Sequence, residues 1–65
     1  MLSASLLATH RAVVEEGSLT AAAAVLGLSV SAVSQQLSQL EGQAGSVLFE
    51  RAGRGVRPTA AGLLL

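Results

Sequence analysis

The stretch SLTAAAAVLGLSVSAVSQQLSQL, residues 18–40, decides the fold of this chain. Residues 19–26 are rich in alanine and favour a short helix, and Gly27 follows where a C-terminal cap is expected. Ser29 suits the N-cap of a second helix over residues 30–44. Two short helices joined by a glycine-containing turn predict a helix-turn-helix, whose second helix can enter a groove of duplex DNA.

The second helix of this motif has one apolar and one polar side. Its apolar positions recur at helical spacing and predict a core-facing stripe of Val33, Leu37, Leu40 and Ala44. The opposite face carries Ser31, Gln35, Ser38 and Gln39, with Ser34 and Gln36 on the flanks. The helix therefore packs on one side and offers hydrogen-bonding groups on the other.

The segments on either side complete a small domain. Residues 3–16 predict a first helix with a buried face of Leu6, His10, Val13 and Val14, ended by Gly17 and followed by Ser18 as an N-cap. Residues 47–51 and 56–58 predict two short strands around a glycine-containing turn at 52–55. We therefore expect a mainly α fold, a winged helix-turn-helix: a three-helix bundle over residues 1–58 with a β-hairpin wing at 47–58. Thr59 is expected to cap a last helix, 60–65, that continues in a longer parent protein.

Composition narrows the function. The 65 residues carry no net charge, no cysteine, no aspartate and no lysine, and one histidine. Disulfides, catalytic triads and clustered metal ligands therefore have no residues to build them, so we expect no enzyme, metal or cofactor site. His10 is expected to be a packed histidine. The absence of a signal peptide pattern and of an apolar run of membrane-spanning length predicts a cytoplasmic protein without a membrane partner.

The polar face of the second motif helix supplies candidate base contacts. Glutamine pairs with adenine through two hydrogen bonds, so Gln35 and Gln36 are the best candidate base readers. Ser31 and Ser34 are candidate base or phosphate contacts. The alternative is that all four are ordinary solvated side chains.

The positive charge is local, because Arg51, Arg54 and Arg57 fall within seven residues of the predicted wing. An arginine between two glycines at a wing tip can approach a phosphate or a narrow minor groove, which favours Arg54 and, with it, Arg51. Alternatively, Arg51 forms a surface ion pair with Glu50 or Glu41. Arg57 is expected to be solvated.

Several short motifs in register cover nearly the whole chain. They are E-x-G-S-φ-T at 15–20, A-A at 22–23, L-x-φ-S at 26–29, A-φ-S at 32–34, L-E at 40–41, L-F-x-R at 48–51, G-R-G-φ-R at 53–57 and T-x-A-G at 59–62, where φ is an apolar residue. Residues 7–62 thereby resemble the N-terminal domain of LysR-type bacterial transcriptional regulators. The chain departs from that family at Val30-Ser31, where Gln-Pro is frequent, and at Gln35, where arginine is common.

The resemblance implies a domain that binds double-stranded promoter DNA in a sequence-specific way. It also implies that residues 59–65 begin a linker helix through which a homodimer or higher homo-oligomer forms. A C-terminal domain, absent from these residues, is implied to bind a small effector. The expected DNA-binding residues are Ser29, Val30, Ser31, Ser34, Gln35, Gln36, Arg51 and Arg54. The alternative is a winged-helix module for protein interaction or dimerisation with little affinity for DNA.

Overall fold

The computed structural model describes residues 3–65, so the first two residues of the predicted 1–58 domain lie outside it. The elements are α1 (Ala4–Glu16), α2 (Leu19–Leu26), α3 (Val30–Ala44), β1 (Phe49–Ala52), β2 (Gly55–Pro58) and α4 (Ala60–Leu63). The mainly helical winged helix-turn-helix is confirmed.

Each of the first three helices begins at a serine cap. The hydroxyls of Ser3, Ser18 and Ser29 accept from the backbone amides of Leu6, Ala21 and Ala32, at 3.2, 3.0 and 3.1 Å. These bonds satisfy amides that have no partner within the helix. The caps explain why the helices begin where the sequence predicts, with α1 starting one residue late because Ser3 is its cap.

The turn between α2 and α3 sets the angle of the motif. Gly27 ends α2 with φ at +70°, a left-handed conformation that glycine adopts without steric penalty. The two helices are bent by 102° at this break, within the range of a helix-turn-helix. Among residues 3–65 no single helix is long and apolar enough to cross a membrane, and only α2 and α3 taken together pass that test by length and composition.

The core consists of two adjoining clusters. One contains Val13, Ala22, Ala23, Val33 and Leu37, and the other Leu6, Leu40 and Leu48. Two predicted core positions are wrong, because Val14 and Ala44 are exposed. Val14 is rotated about 100° around α1 from the buried Val13. Ala44 is the last residue of α3, and Leu48 rather than Ala44 fills the second cluster.

The wing is a two-stranded antiparallel hairpin in which Phe49 pairs with Pro58 and Ala52 with Gly55. The strands are shifted from the predicted 47–51 and 56–58 because a two-residue turn, Gly53-Arg54, joins them and brings Ala52 and Gly55 into the ladder. Gly53 has φ at +60°, as the first central position of such turns requires. The hairpin is held against the helices, because the Val56 amide donates to the Gly17 carbonyl at 3.0 Å.

The last helix is shorter than predicted and ends at Leu63 rather than at residue 65. Thr59 caps it as expected, its hydroxyl accepting from the Gly62 amide at 3.2 Å. His10 is 3% exposed, and its Nε2 lies 2.8 Å from the Gly62 carbonyl oxygen. Because a carbonyl only accepts, Nε2 carries the proton. The ring also packs on Phe49, with centroids 4.9 Å apart. His10 is therefore the packed histidine that the sequence predicts, and it joins α1 to α4 and the wing.

Candidate nucleic-acid interface

The exposed face of α3 forms a shallow depression on the surface. It is lined by Leu19, Val30, Ser31, Ser34, Gln35 and Ser38. The five α3 residues span about 140° of the helix surface, since successive residues advance by about 100°. This brings four of the sequence candidates, Val30, Ser31, Ser34 and Gln35, to one surface. Ser38 and Leu19 also line the depression. The sequence places Ser38 on this polar face without naming it as a DNA contact, and Leu19 comes from the neighbouring helix α2.

Gln36 lies apart from this face. It is half-buried, and its side-chain oxygen accepts a hydrogen bond from the hydroxyl of Thr9 on α1. Thr9 is itself buried at 2% exposure. The interaction fixes α3 against α1. The two glutamines therefore differ, because Gln35 is exposed and Gln36 is hydrogen-bonded within the domain.

The first turn of α3 presents backbone as well as side-chain groups. The Ser29 hydroxyl accepts from the Ala32 amide, and the Ser29 carbonyl accepts from the Val33 amide at 3.1 Å. The amides of Val30 and Ser31 precede these bonds and belong to the orphan donors of a helix N-terminus. The Ser29 hydroxyl retains its own proton for donation. This end of α3 therefore offers three hydrogen-bond donors and a positive dipole end, a combination suited to a phosphate.

The arginines of the wing fall into two groups. Arg57 is exposed, as the sequence predicts, and it pairs with Glu50 across the strands at 2.9 Å. Arg51 and Arg54 are exposed, and neither forms an ion pair within residues 3–65. The predicted alternative for Arg51 is therefore not observed. Adjacent residues of a strand point to opposite faces, which turns Arg51 away from Glu50.

The other charged groups leave the positive charge concentrated at the wing. Glu41 accepts from the Leu48 amide at 2.8 Å, and Arg11 pairs with Glu15 one turn along α1 at 2.9 Å. The exposed Arg11–Glu15 pair contributes little to stability, but its two charges cancel locally. Arg51 and Arg54 are consequently the two arginines of residues 3–65 without a carboxylate partner. Nor does this part of the chain bring three metal-ligating side chains together.

Comparison with known proteins identifies this arrangement. Residues 5–63 match the family model of the bacterial regulatory helix-turn-helix proteins, lysR family. The chain belongs to the LysR family. It is 52% identical over 58 residues to the transcriptional regulator AbaB of Streptomyces antibioticus and 43% identical over 60 residues to LeuO of Escherichia coli, covering 89% and 92% of this chain. The chain spans 19% of the length of each of these regulators.

Solved LysR-type structures share the fold. The CbnR DNA-binding domain in complex with DNA superposes with a TM-score of 0.91 at 38% identity, over 97% of this chain and 72% of that one. The BenM DNA-binding domain on benA site 1 DNA superposes with a TM-score of 0.89 at 36% identity, over 97% of this chain and 71% of that chain. ArgP of Mycobacterium tuberculosis superposes with a TM-score of 0.86 at 47% identity, over 95% of this chain and 21% of that chain. These matches cover the helices and the wing together.

Proposed function

We propose that this chain is the sequence-specific DNA-binding domain of a LysR-type transcriptional regulator, with α3 in the major groove and the wing arginines on the DNA backbone or in the minor groove. The observation that carries the proposal is the placement of the two unpaired arginines on the same small domain as the exposed polar face of α3. The complexes of the CbnR and BenM domains with DNA support it.

The roles of the residues follow from their positions. Gln35 is the main base reader because its amide is exposed and matches the hydrogen-bonding edge of adenine. Ser31 and Ser34 lie beside it as shorter polar contacts. Ser29 and the first amides of α3 bind a phosphate and set how deeply the helix enters the groove. Gln36 is assigned instead to positioning α3 through Thr9.

The two wing arginines supply the electrostatic part of binding. Arg54 stands at the tip of the hairpin between two glycines, where no large neighbouring side chain keeps DNA away. Arg51 lies on β1 nearer the helices. Each contact of a positive side chain with a phosphate releases counterions, which makes the affinity depend on salt.

The remainder of the regulator is proposed from the family. We infer a parent protein that assembles as a homodimer or higher homo-oligomer through a linker helix beginning at Thr59. A separate C-terminal domain of that protein binds a small effector. The curated relatives are transcriptional regulators, and the chain lacks an assembled catalytic site within its described residues, so we assign no enzymatic activity. A protein acting on bacterial promoters is placed in the cytoplasm.

Fluorescence anisotropy with labelled duplex DNA over a salt series tests the proposal. We expect the affinity to weaken as the salt concentration rises. The slope of the logarithm of the binding constant against the logarithm of the salt concentration should become shallower by about 0.9 for each phosphate contact that Arg51→Ala or Arg54→Ala removes. Arg11→Ala is the matched control, since it removes the same charge from a residue already paired with Glu15. A folded chain without salt-dependent binding would favour the protein-interaction function instead.

A further inference from the structure

The recognition face of α3 has one apolar member whose exposure nothing in the fold requires. Val30 is 43% exposed at the first position of α3, on a face otherwise made of serine and glutamine. We propose that Val30 is a specificity residue that contacts the 5-methyl group of a thymine, so that this domain selects half-sites with an A·T pair at that position. The inference rests on the proposed function and names the bases that the same surface reads.

The position of Val30 fits direct readout. In helix-turn-helix proteins the N-terminal residues of the recognition helix contact base edges, and Val30 is the first residue of α3. Its side chain opens into the same depression as Leu19 and Ser34. Val30 forms one edge of the lining arc and Gln35 the other, about 140° apart around the helix. The surface is therefore apolar at one edge and carries an amide at the other.

The chemistry of the major groove restricts what such an edge can recognise. Each base pair presents hydrogen-bond donors and acceptors there, and the thymine methyl is the apolar group among them. A valine placed against a guanine or an adenine edge would remove water from polar atoms without replacing their hydrogen bonds, which is unfavourable. A methyl group is the partner that a valine side chain stabilises by burial.

The rest of the face favours the same bases. None of the α3 residues lining the depression is charged, so no arginine is present to bind the guanine edge with two hydrogen bonds. No carboxylate is present there to accept from the cytosine amino group. Gln35 matches adenine. The two edges of the surface therefore both favour A·T pairs, and the affinity that a base-reading arginine would add is supplied by the wing.

The test begins with duplexes selected by the 65-residue chain from a library with a randomised core of 20 base pairs. In the enriched duplex, each thymine is replaced in turn by deoxyuridine, which removes only the 5-methyl group. We expect one position at which this replacement weakens binding about fourfold, the effect of burying one methyl-sized apolar group. In the Val30→Ala variant, the same replacement should change the affinity by less than 1.5-fold.

The variant Val25→Ala provides the matched control. Val25 is an exposed valine on α2, at 66% exposure, and it is not among the residues that line the depression. The Val25→Ala variant should keep the full difference in affinity between the thymine and deoxyuridine duplexes. Circular dichroism should show both variants folded, because neither side chain belongs to the buried core.

The outcomes distinguish a failure of the role of Val30 from a failure of the DNA-binding function. One outcome is salt-dependent binding in which the ratio of affinities for the thymine and deoxyuridine duplexes is the same in the wild-type chain and in Val30→Ala. That result would overturn the role of Val30 and leave the DNA-binding function standing. Enrichment of G·C pairs throughout the selected core would also overturn it. The absence of any salt-dependent binding by the folded chain would overturn the DNA-binding function, and the role of Val30 with it.

Discussion

Replacing Gly55 with alanine should loosen the wing from the helices. The hairpin approaches the end of α1 so closely that a Cβ added at Gly55 would lie less than 3.0 Å from the carbonyl oxygen of Gly17. It would also lie 3.4 Å from the Gly17 carbonyl carbon and 4.0 Å from the Ser18 Cβ. The obstacle is backbone rather than a flexible side chain, so the hairpin itself must move.

Two contributions determine the size of the effect. Forcing an extra carbon into a packed contact costs about 1–3 kcal/mol. The movement also breaks the hydrogen bond from the Val56 amide to the Gly17 carbonyl, which contributes about 1 kcal/mol. Gly55→Ala should therefore lower the free energy of unfolding by about 2–4 kcal/mol. A domain of 65 residues has a total of only about 3–10 kcal/mol, so the loss is a large fraction of its stability.

Urea unfolding monitored by circular dichroism measures the loss in the free energy of unfolding. Hydrogen exchange of the Val56 amide reports on its hydrogen bond to the Gly17 carbonyl. The matched control is Gly42→Ala, where an added Cβ meets nothing within 4 Å and the backbone is helical rather than left-handed. We expect the control to lose no stability and to keep the Val56 amide protected. If Gly55→Ala were as stable as Gly42→Ala, with Val56 equally protected, the proposed packing of the wing would be refuted.

Three further changes test other parts of the structure. Gly42→Ala should stabilise the chain by about 0.5–1 kcal/mol in urea unfolding, because Gly42 lies inside α3 with open space around it; an unchanged or lower stability would contradict this. His10→Leu should destabilise by about 1–3 kcal/mol in the same assay, since the Gly62 carbonyl loses its buried partner; wild-type stability would show that this bond is dispensable. Glu50→Gln should tighten DNA binding and steepen its salt dependence by releasing Arg57, with stability changed by less than about 0.5 kcal/mol; anisotropy showing weaker binding would contradict the electrostatic role of the wing.

The helix boundaries were predictable because their signals are local. A serine cap acts on an amide three residues away, and a terminal glycine acts through its own φ. Ser18, Gly27 and Ser29 therefore predict the helix-turn-helix from residues that are neighbours along the chain. The strand patterns at 47–51 and 56–58, around the glycine-containing turn at 52–55, predict the wing from equally local signals.

The features that the sequence did not predict depend on contacts between distant elements. Gln36 differs from Gln35 because it accepts a hydrogen bond from Thr9. Thr9 lies 27 residues earlier and contacts Gln36 only when α1 and α3 pack. The pairing of Arg57 with Glu50 depends on strand register, which the two-residue turn fixes. Ala44 is exposed at the end of α3, and the second cluster is filled by Leu48, which lies beyond that helix in the chain.

The separation of charge described above has an evolutionary consequence. The unpaired arginines lie on the wing, and the uncharged polar face lies on α3. With the proposed division of roles, substitutions in α3 redirect a descendant of this protein to a new promoter, while the phosphate contacts of the wing are inherited unchanged. Substitutions in the wing then strengthen or weaken DNA binding without altering which promoters are recognised. The two properties are open to selection one at a time, within a domain small enough to be duplicated and diverge readily.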